Sequence, residues 1–291
     1  MENSNSHNMQ DEDNYTSIWQ DGGEIKLIQL KNGVSLRYLE IGTGRPLILL
    51  HTLRTQLEYF QGLVPLLKND FHIYAVDLPG HGRSSLVQNA AYDELFFRQS
   101  IIAFIEKLDL KNVVIAGESI GAVLALTAAA EMPDRIAQVF ALNPYDYGEK
   151  FGGGIRRSRY GYIIGLFRVF KSHTLEIRSI LKLLLSGGFV HAEKLPDHLL
   201  SEFNRTGERP GYRNMEYLLF KNWRSWLNAV NLYERILVPV TLVYGESDWS
   251  RPEEREDRKN RLARAKLLTI PGAGHFSALE DPQQIAQILK A

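Results

Sequence analysis

Residues 112–131 read NVVIAGESIGAVLALTAAAE, and the fold follows from how that stretch divides. Val113 to Ala116 is a continuous apolar run, the pattern of a strand covered on both faces. Ile120 to Glu131 is rich in Ala and Leu, the strongest helix formers. Between them stands Gly117-Glu118-Ser119-Ile120-Gly121 with no room for a loop. The strand leads directly into the helix, which fits a sharp strand-to-helix turn with Ser119 at the bend. The two glycines let the backbone pass close on either side of a strained residue.

The same alternation extends in both directions. Upstream, EIKLIQL (24–30) and VSLRYLEIG (34–42) alternate in polarity and are joined through Lys31-Asn32-Gly33, a hairpin signal. PLILLHT (46–52) and FHIYAVDL (71–78) are buried strands, separated by a helical stretch over 55–67. A helix over 92–108 places Leu95, Phe96, Ile101, Ile102, Phe104 and Ile105 on one face. Downstream come strands RIAQVFALN (135–143), VPVTLVYGESD (238–248) and AKLLTIPGAGH (265–275), a charged helix over 251–265 and a terminal helix over 280–290. Strands that alternate with helices form βαβ units and a mainly parallel sheet. The expectation is an α/β fold with eight strands, the opening hairpin antiparallel at one edge. Its core comprises 23–145 and 231–291. Residues 146–230 break the pattern with a Gly-rich basic stretch and amphipathic helices, and read as an inserted helical lid. Residues 1–22 read as a disordered tail.

Composition narrows the function. The 291 residues are 44% hydrophobic and 23% charged, with 34 basic and 34 acidic side chains. A net charge of zero gives no overall field to draw in nucleic acid. Without cysteine there is no disulfide, thiolate metal site or thiol nucleophile. The polar N-terminus lacks the apolar core of a signal peptide, and no apolar run is long enough to span a membrane. The reading is a soluble, cytoplasmic protein that meets a small-molecule substrate and water. Nothing in the sequence signals an oligomeric state.

A serine hydroxyl is a weak nucleophile that needs a neighbouring base, and the base needs a group to orient it. Taken alone, the pentapeptide around Ser119 also fits a serine capping an ordinary helix. His275, in Pro271-Gly272-Ala273-Gly274-His275-Phe276, follows the last strand in a freely bending loop. Asp248 ends the strand before it, where a carboxylate can hold the imidazole in its useful tautomer. Glu246 and Asp146 are alternative acids. All three principal residues sit at carboxyl ends of strands, where open α/β sheets bind ligands.

Ser119, Asp248 and His275, in that order, resemble the α/β-hydrolase superfamily over nearly all of 24–291. Three further pieces match: Asp77-Leu78-Pro79-Gly80-His81-Gly82-Arg83-Ser84, Gly245-x-x-Asp248 and Gly274-His275. The resemblance implies a serine nucleophile, no metal or organic cofactor, and an oxyanion hole formed by the N–H groups of Leu53 and Ile120. It also implies that 146–230 caps the site. The chain departs from the superfamily at Thr52, where relatives carry Gly after His51. A β-branched residue tolerates positive φ poorly, so either this loop takes another shape or the Thr52 hydroxyl has a part of its own. Arg54 beside it either forks a substrate carboxylate or pairs with an acid such as Glu58. His51, His81 and Glu118 read as residues that brace loops. Most aromatic residues of 146–230 read as packing, and Arg156, Arg157, Arg159, Arg168 and Lys171 as a solvated basic face.

The activity these readings imply is cleavage of an ester, thioester, lactone or amide of a small apolar compound. A serine at the bend argues against the epoxide-hydrolase and dehalogenase chemistries that use Asp there. Carbon–carbon hydrolysis, lyase and acyl-transfer chemistry share the triad and stay open, as does a small-molecule receptor with vestigial turnover.

Overall fold

The computed structural model describes residues 22–31, 33–148 and 178–291. Eight strands form one sheet: β1 (Glu24–Gln29), β2 (Ser35–Ile41), β3 (Arg45–Leu50), β4 (Phe71–Val76), β5 (Val113–Glu118), β6 (Ile136–Leu142), β7 (Val240–Gly245) and β8 (Ala265–Ile270). Their order is β1-β2-β4-β3-β5-β6-β7-β8. β1 and β2 pair antiparallel, as do β2 and β4, and every other pair is parallel. The expected α/β architecture is therefore present, with the antiparallel strands at one edge. At the first turn Gly33 takes φ +82°, and its N–H donates to Leu30 O. Asn32, the other half of the hairpin signal, lies outside the described residues.

The helices, in chain order, are α1 (Glu94–Lys107), α2 (Ile120–Glu131), α3 (Arg178–Ser186), α4 (Asp197–Gly207), α5 (Tyr212–Lys221), α6 (Pro252–Arg261) and α7 (Pro282–Lys290), joined by shorter helical turns. Successive side chains of a strand point to opposite faces, and the core divides accordingly. Ile48, Leu50, Val113 and Ile115 face Phe97 and Phe104 of α1 and Leu124 of α2. Leu47, Leu49, Val114 and Ala116 face Phe60, Leu63 and the α7 residues Ile285 and Leu289. α2 is buried from Ile120 through Ala130, which fits a helix apolar on all sides. Asp93 caps α1, its carboxylate accepting from Phe96 N–H at 2.9 Å.

One expected helix is broken. Residues 55–67 form a short 3-10 turn, Leu57–Phe60, and then a single α turn, Val64–Leu67. Gly62 and Pro65 fall in the gap and start of the second turn, where Pro can donate no helical hydrogen bond. The first turn is instead fixed by its side chains. Leu57 N–H donates to Asp77 Oδ1 at 2.7 Å, and the buried Glu58 receives Arg37 Nη2 at 2.7 and 2.8 Å.

Candidate active site

Ser119 stands between the end of β5 and the first residue of α2, with φ 59° and ψ −116°. A non-glycine residue with positive φ is strained, and its neighbours show what holds it there. A Cβ on Gly117 would lie 2.2 Å from Gly121 O, and one on Gly121 would lie 2.2 Å from Leu50 O. Only glycine fits at either position, because α2 starts against the ends of both β5 and β3. Ser119 N–H donates to Leu142 O at 2.9 Å, which pins the bend to β6.

From this bend runs a chain of hydrogen bonds. Ser119 Oγ lies 2.9 Å from His275 Nε2, and Asp248 Oδ1 accepts His275 Nδ1–H at 2.5 Å. All three residues are buried. Burial would push the Asp248 carboxyl up, but His275 and the hydrogen bonds from His275 and Ser250 outweigh it and leave Asp248 below the usual carboxylate range. Ser250 supplies both its N–H, at 2.9 Å, and its hydroxyl to Asp248 Oδ2. The other two acids are engaged elsewhere. Asp146 accepts Tyr233 OH at 2.8 Å and pairs with Arg258 Nε at 3.0 Å, and Glu246 accepts Gly272 N–H at 3.1 Å.

Glu118 does more than brace a loop locally. It is fully buried, and its two oxygens receive Tyr59 OH, Asn143 Nδ2, the N–H and Oγ of Ser277, and Ala278 N–H. Asn143 also donates to His275 O at 3.1 Å and accepts Gly245 N–H at 2.8 Å. One carboxylate thus ties the serine bend to the loop that carries His275. Burial raises its pKa, and the hydrogen bonds from Ser277 and Tyr59 offset that only in part.

The loop after β3 takes another shape than a glycine-based one. Positive φ falls on Arg54, at 62°, and not on Thr52. Thr52 serves through its carbonyl, which accepts His51 Nδ1–H at 2.7 Å and Thr55 Oγ at 2.8 Å. His51 Nε2 accepts Leu78 N–H at 2.9 Å, which fixes it as the neutral Nδ1–H tautomer. Burial lowers its pKa to about 4. Ile120 is the first residue of α2, so its N–H is among those a helix leaves without an internal partner. Leu53 lies in the turn closed by Thr55 N–H on Thr52 O. Arg54 pairs with Glu216 of α5, Nε to Oε1 at 2.6 Å, and not with Glu58, which belongs to Arg37. The arginine thereby joins the β3 loop to the helical stretch between β6 and β7. The basic residues 156, 157, 159, 168 and 171 lie outside the described residues.

Several residues around His275 carry no signal in a linear reading. The Trp249 ring stacks on the imidazole, and Tyr145 meets it edge-on at 5.8 Å. Glu280 accepts Gly274 N–H at 2.6 Å with one oxygen, and Val190 and His191 N–H with the other. Ser250, two residues after Asp248, fits the local Asp-x-Ser turn pattern in which a carboxylate bonds the backbone two residues on, a signal that points to it in retrospect.

A strained serine on a strand-to-helix bend, hydrogen-bonded to a histidine and through it to an aspartate across a mostly parallel sheet, defines a class of hydrolase-fold proteins. The chain belongs to the alpha/beta hydrolase family, whose model matches residues 47–288. It is 27% identical over 263 residues to the dihydrolipoyllysine-residue acetyltransferase component of the acetoin cleaving system of Pseudomonas putida, covering 89% of this chain. It spans 66% of that relative's length. It is 26% identical over 260 residues to a pimeloyl-[acyl-carrier protein] methyl ester esterase of Nitrosomonas europaea, covering 86% of this chain and 96% of the relative. Among solved structures, wild-type Cfl2 from Burkholderia cenocepacia superposes with a TM-score of 0.76 at 21% identity, covering 92% of this chain and 95% of that one. That likeness is one of fold. Among the described residues, no helix is long and apolar enough to cross a membrane.

Proposed function

We propose that this protein is a serine hydrolase that cleaves an ester-like bond of a small, largely apolar substrate through an acyl-enzyme on Ser119. The observation that carries the reading is the continuous hydrogen-bond chain from Ser119 Oγ through His275 to Asp248. His275 Nε2 takes the Ser119 proton as Oγ bonds to the carbonyl carbon, and the carbonyl π pair moves onto oxygen. Asp248 holds the imidazole in the tautomer that leaves Nε2 free to accept, and stabilises the imidazolium that results. The N–H groups of Leu53 and Ile120 receive the oxyanion, each contributing about 3 kcal/mol of transition-state stabilisation. His275 then protonates the leaving group, which departs with the acyl group left on Ser119. In the second half a water gives its proton to His275 as its oxygen bonds to the acyl carbon; the Oγ–acyl bond then breaks with its electron pair on Ser119 Oγ, His275 returns the proton to Oγ, and the acid leaves.

An apolar substrate is supported by the rings of Tyr145 and Phe276 beside the imidazole. The helical stretch between β6 and β7 acts in this reading as the cap, joined to the oxyanion loop by the Arg54–Glu216 pair. The test is to offer p-nitrophenyl esters of increasing chain length to the parent, Ser119→Ala and His275→Ala. Turnover in the parent that both variants abolish is the expected result, with a preferred chain length that sizes the apolar site. Equal turnover in Ser119→Ala would overturn the reading.

A further inference from the structure

Trp249 directly follows Asp248, and its indole lies flat against the His275 ring, with centroids 3.8 Å apart and planes 15° from parallel. Its Nε1–H donates to Gly187 O at 3.1 Å, just past the end of α3. The next residue, Gly188, accepts His275 N–H at 2.6 Å. A Cβ on Gly188 would fall 2.4 Å from the Phe276 ring and 3.0 Å from Trp249. The turn at Gly187-Gly188 therefore grips the indole and the histidine backbone together, and leaves no room for a side chain at Gly188.

We propose that Trp249 is a positioning residue for His275: its indole face fixes the plane of the imidazole and favours the imidazolium formed when His275 takes the Ser119 proton, and its N–H ties that plane to the Gly187-Gly188 turn. The inference rests on the serine-hydrolase reading above. Its physical basis is that a cation over an aromatic face is attracted by the ring quadrupole, most strongly for Trp and where water is excluded. Asp248 at Nδ1 and Ser119 at Nε2 hold the ring by its edge, and such bonds still bend as the ring tilts about Cβ–Cγ. A flat indole against the face opposes that tilt. The other charged or titratable groups toward His275 are Asp248 itself, Glu118 behind the loop through Asn143 and Ser277, Glu280 through Gly274 N–H, and Tyr145 at the ring edge. Trp249 also meets the Tyr145 and Phe276 rings edge-on, at 6.0 and 5.8 Å, so W249F, which keeps a ring there, is the control that reads the indole N–H and W249L the one that reads the face.

The experiment compares the parent with W249F and W249L. Three quantities are measured: kcat and KM on a p-nitrophenyl ester, the kcat/KM profile against pH, and the second-order rate of labelling by a fluorophosphonate. Circular dichroism checks the fold. W249L is expected to lose about tenfold in kcat with KM within about twofold, and in labelling rate to the same extent, as for a group mis-set in the transition state. The midpoint of its acid limb moves to lower pH by about half a unit to one unit. W249F keeps a face, loses the N–H and falls between the two. If W249L does not fold, W249F decides alone, by a smaller shift in the same direction. A folded variant whose midpoint and labelling rate match the parent overturns the proposal. So does a change confined to KM, which would make Trp249 a wall for substrate. A parent that takes no label speaks against the Ser119 reading itself; a labelled parent with unaltered variants speaks against Trp249 alone.

Discussion

Substituting Gly121 by Ala tests whether the serine bend is held by close packing of α2 on β3. The added Cβ would lie 2.2 Å from Leu50 O and 2.6 Å from His51 O, where ordinary contact begins near 3.4 Å. Both obstacles are backbone at the end of a central strand and cannot rotate away. The start of α2 must therefore retreat by about 1 Å from β3, or β3 must yield by as much. Ser119 and Ile120 move with the first, Leu53 with the second, so either response changes the gap between nucleophile and oxyanion donors. A misplacement of that size costs about 100-fold in rate, or about 2.7 kcal/mol, beside about 1 to 3 kcal/mol of overpacking lost from stability. Kinetics on a short-chain p-nitrophenyl ester gives the first figure and thermal unfolding the second. A Gly121→Ala variant that keeps kcat/KM within about threefold of the parent would refute the argument.

Three other outcomes are expected. Arg37→Ala leaves Glu58 and Asp77 buried without their shared guanidinium and should cost about 3 to 5 kcal/mol in denaturant unfolding. Glu118→Gln replaces one acceptor oxygen by a donor among groups that already donate, so stability should drop by about 1 to 3 kcal/mol, and kcat should fall while KM holds, because the carboxylate sets the His275 loop. His81 is buried, donates from Nδ1 to Pro79 O at 3.1 Å, and has its pKa lowered by burial, and further by His51, to about 3. Its folded value lies below its unfolded one, so the stability it permits is complete above about pH 6.5 and is lost as pH falls from there, by about 2 to 3 kcal/mol at pH 4.5. His81→Phe should therefore melt below the parent at pH 7.5, and that gap should shrink or reverse at pH 4.5 in paired thermal scans.

The sheet was legible because apolar runs at β3, β4, β5, β6 and β7 and an alternating pair at β1 and β2 leave few other arrangements. The candidate site was legible where chemistry follows local geometry. Ser119 needs glycines at 117 and 121, and both the Asp and the His needed to fall at strand ends. What was not legible depends on distant partners. Arg54 and Glu216 are far apart in sequence and meet only because α5 packs over the β3 loop. Of the two readings offered for Thr52, the loop takes the other shape: positive φ falls on Arg54, and the Thr52 carbonyl holds His51 and Thr55, which a linear reading does not show. Glu118 was expected to brace loops and does, but its partners, Tyr59, Asn143 and Ser277, come from three separate segments that a linear reading cannot connect. Trp249 had no periodic or motif signal, and its role is visible only in the stack on His275.

The central claim is an acyl group on Ser119, and rapid-quench mass spectrometry tests it most directly. The parent is mixed with a short-chain p-nitrophenyl ester and quenched in acid during turnover. The account predicts a mass increase equal to the acyl group, carried by the peptide that contains Ser119 and absent from Ser119→Ala. Sustained turnover with no adduct, or an adduct on another residue, would contradict it.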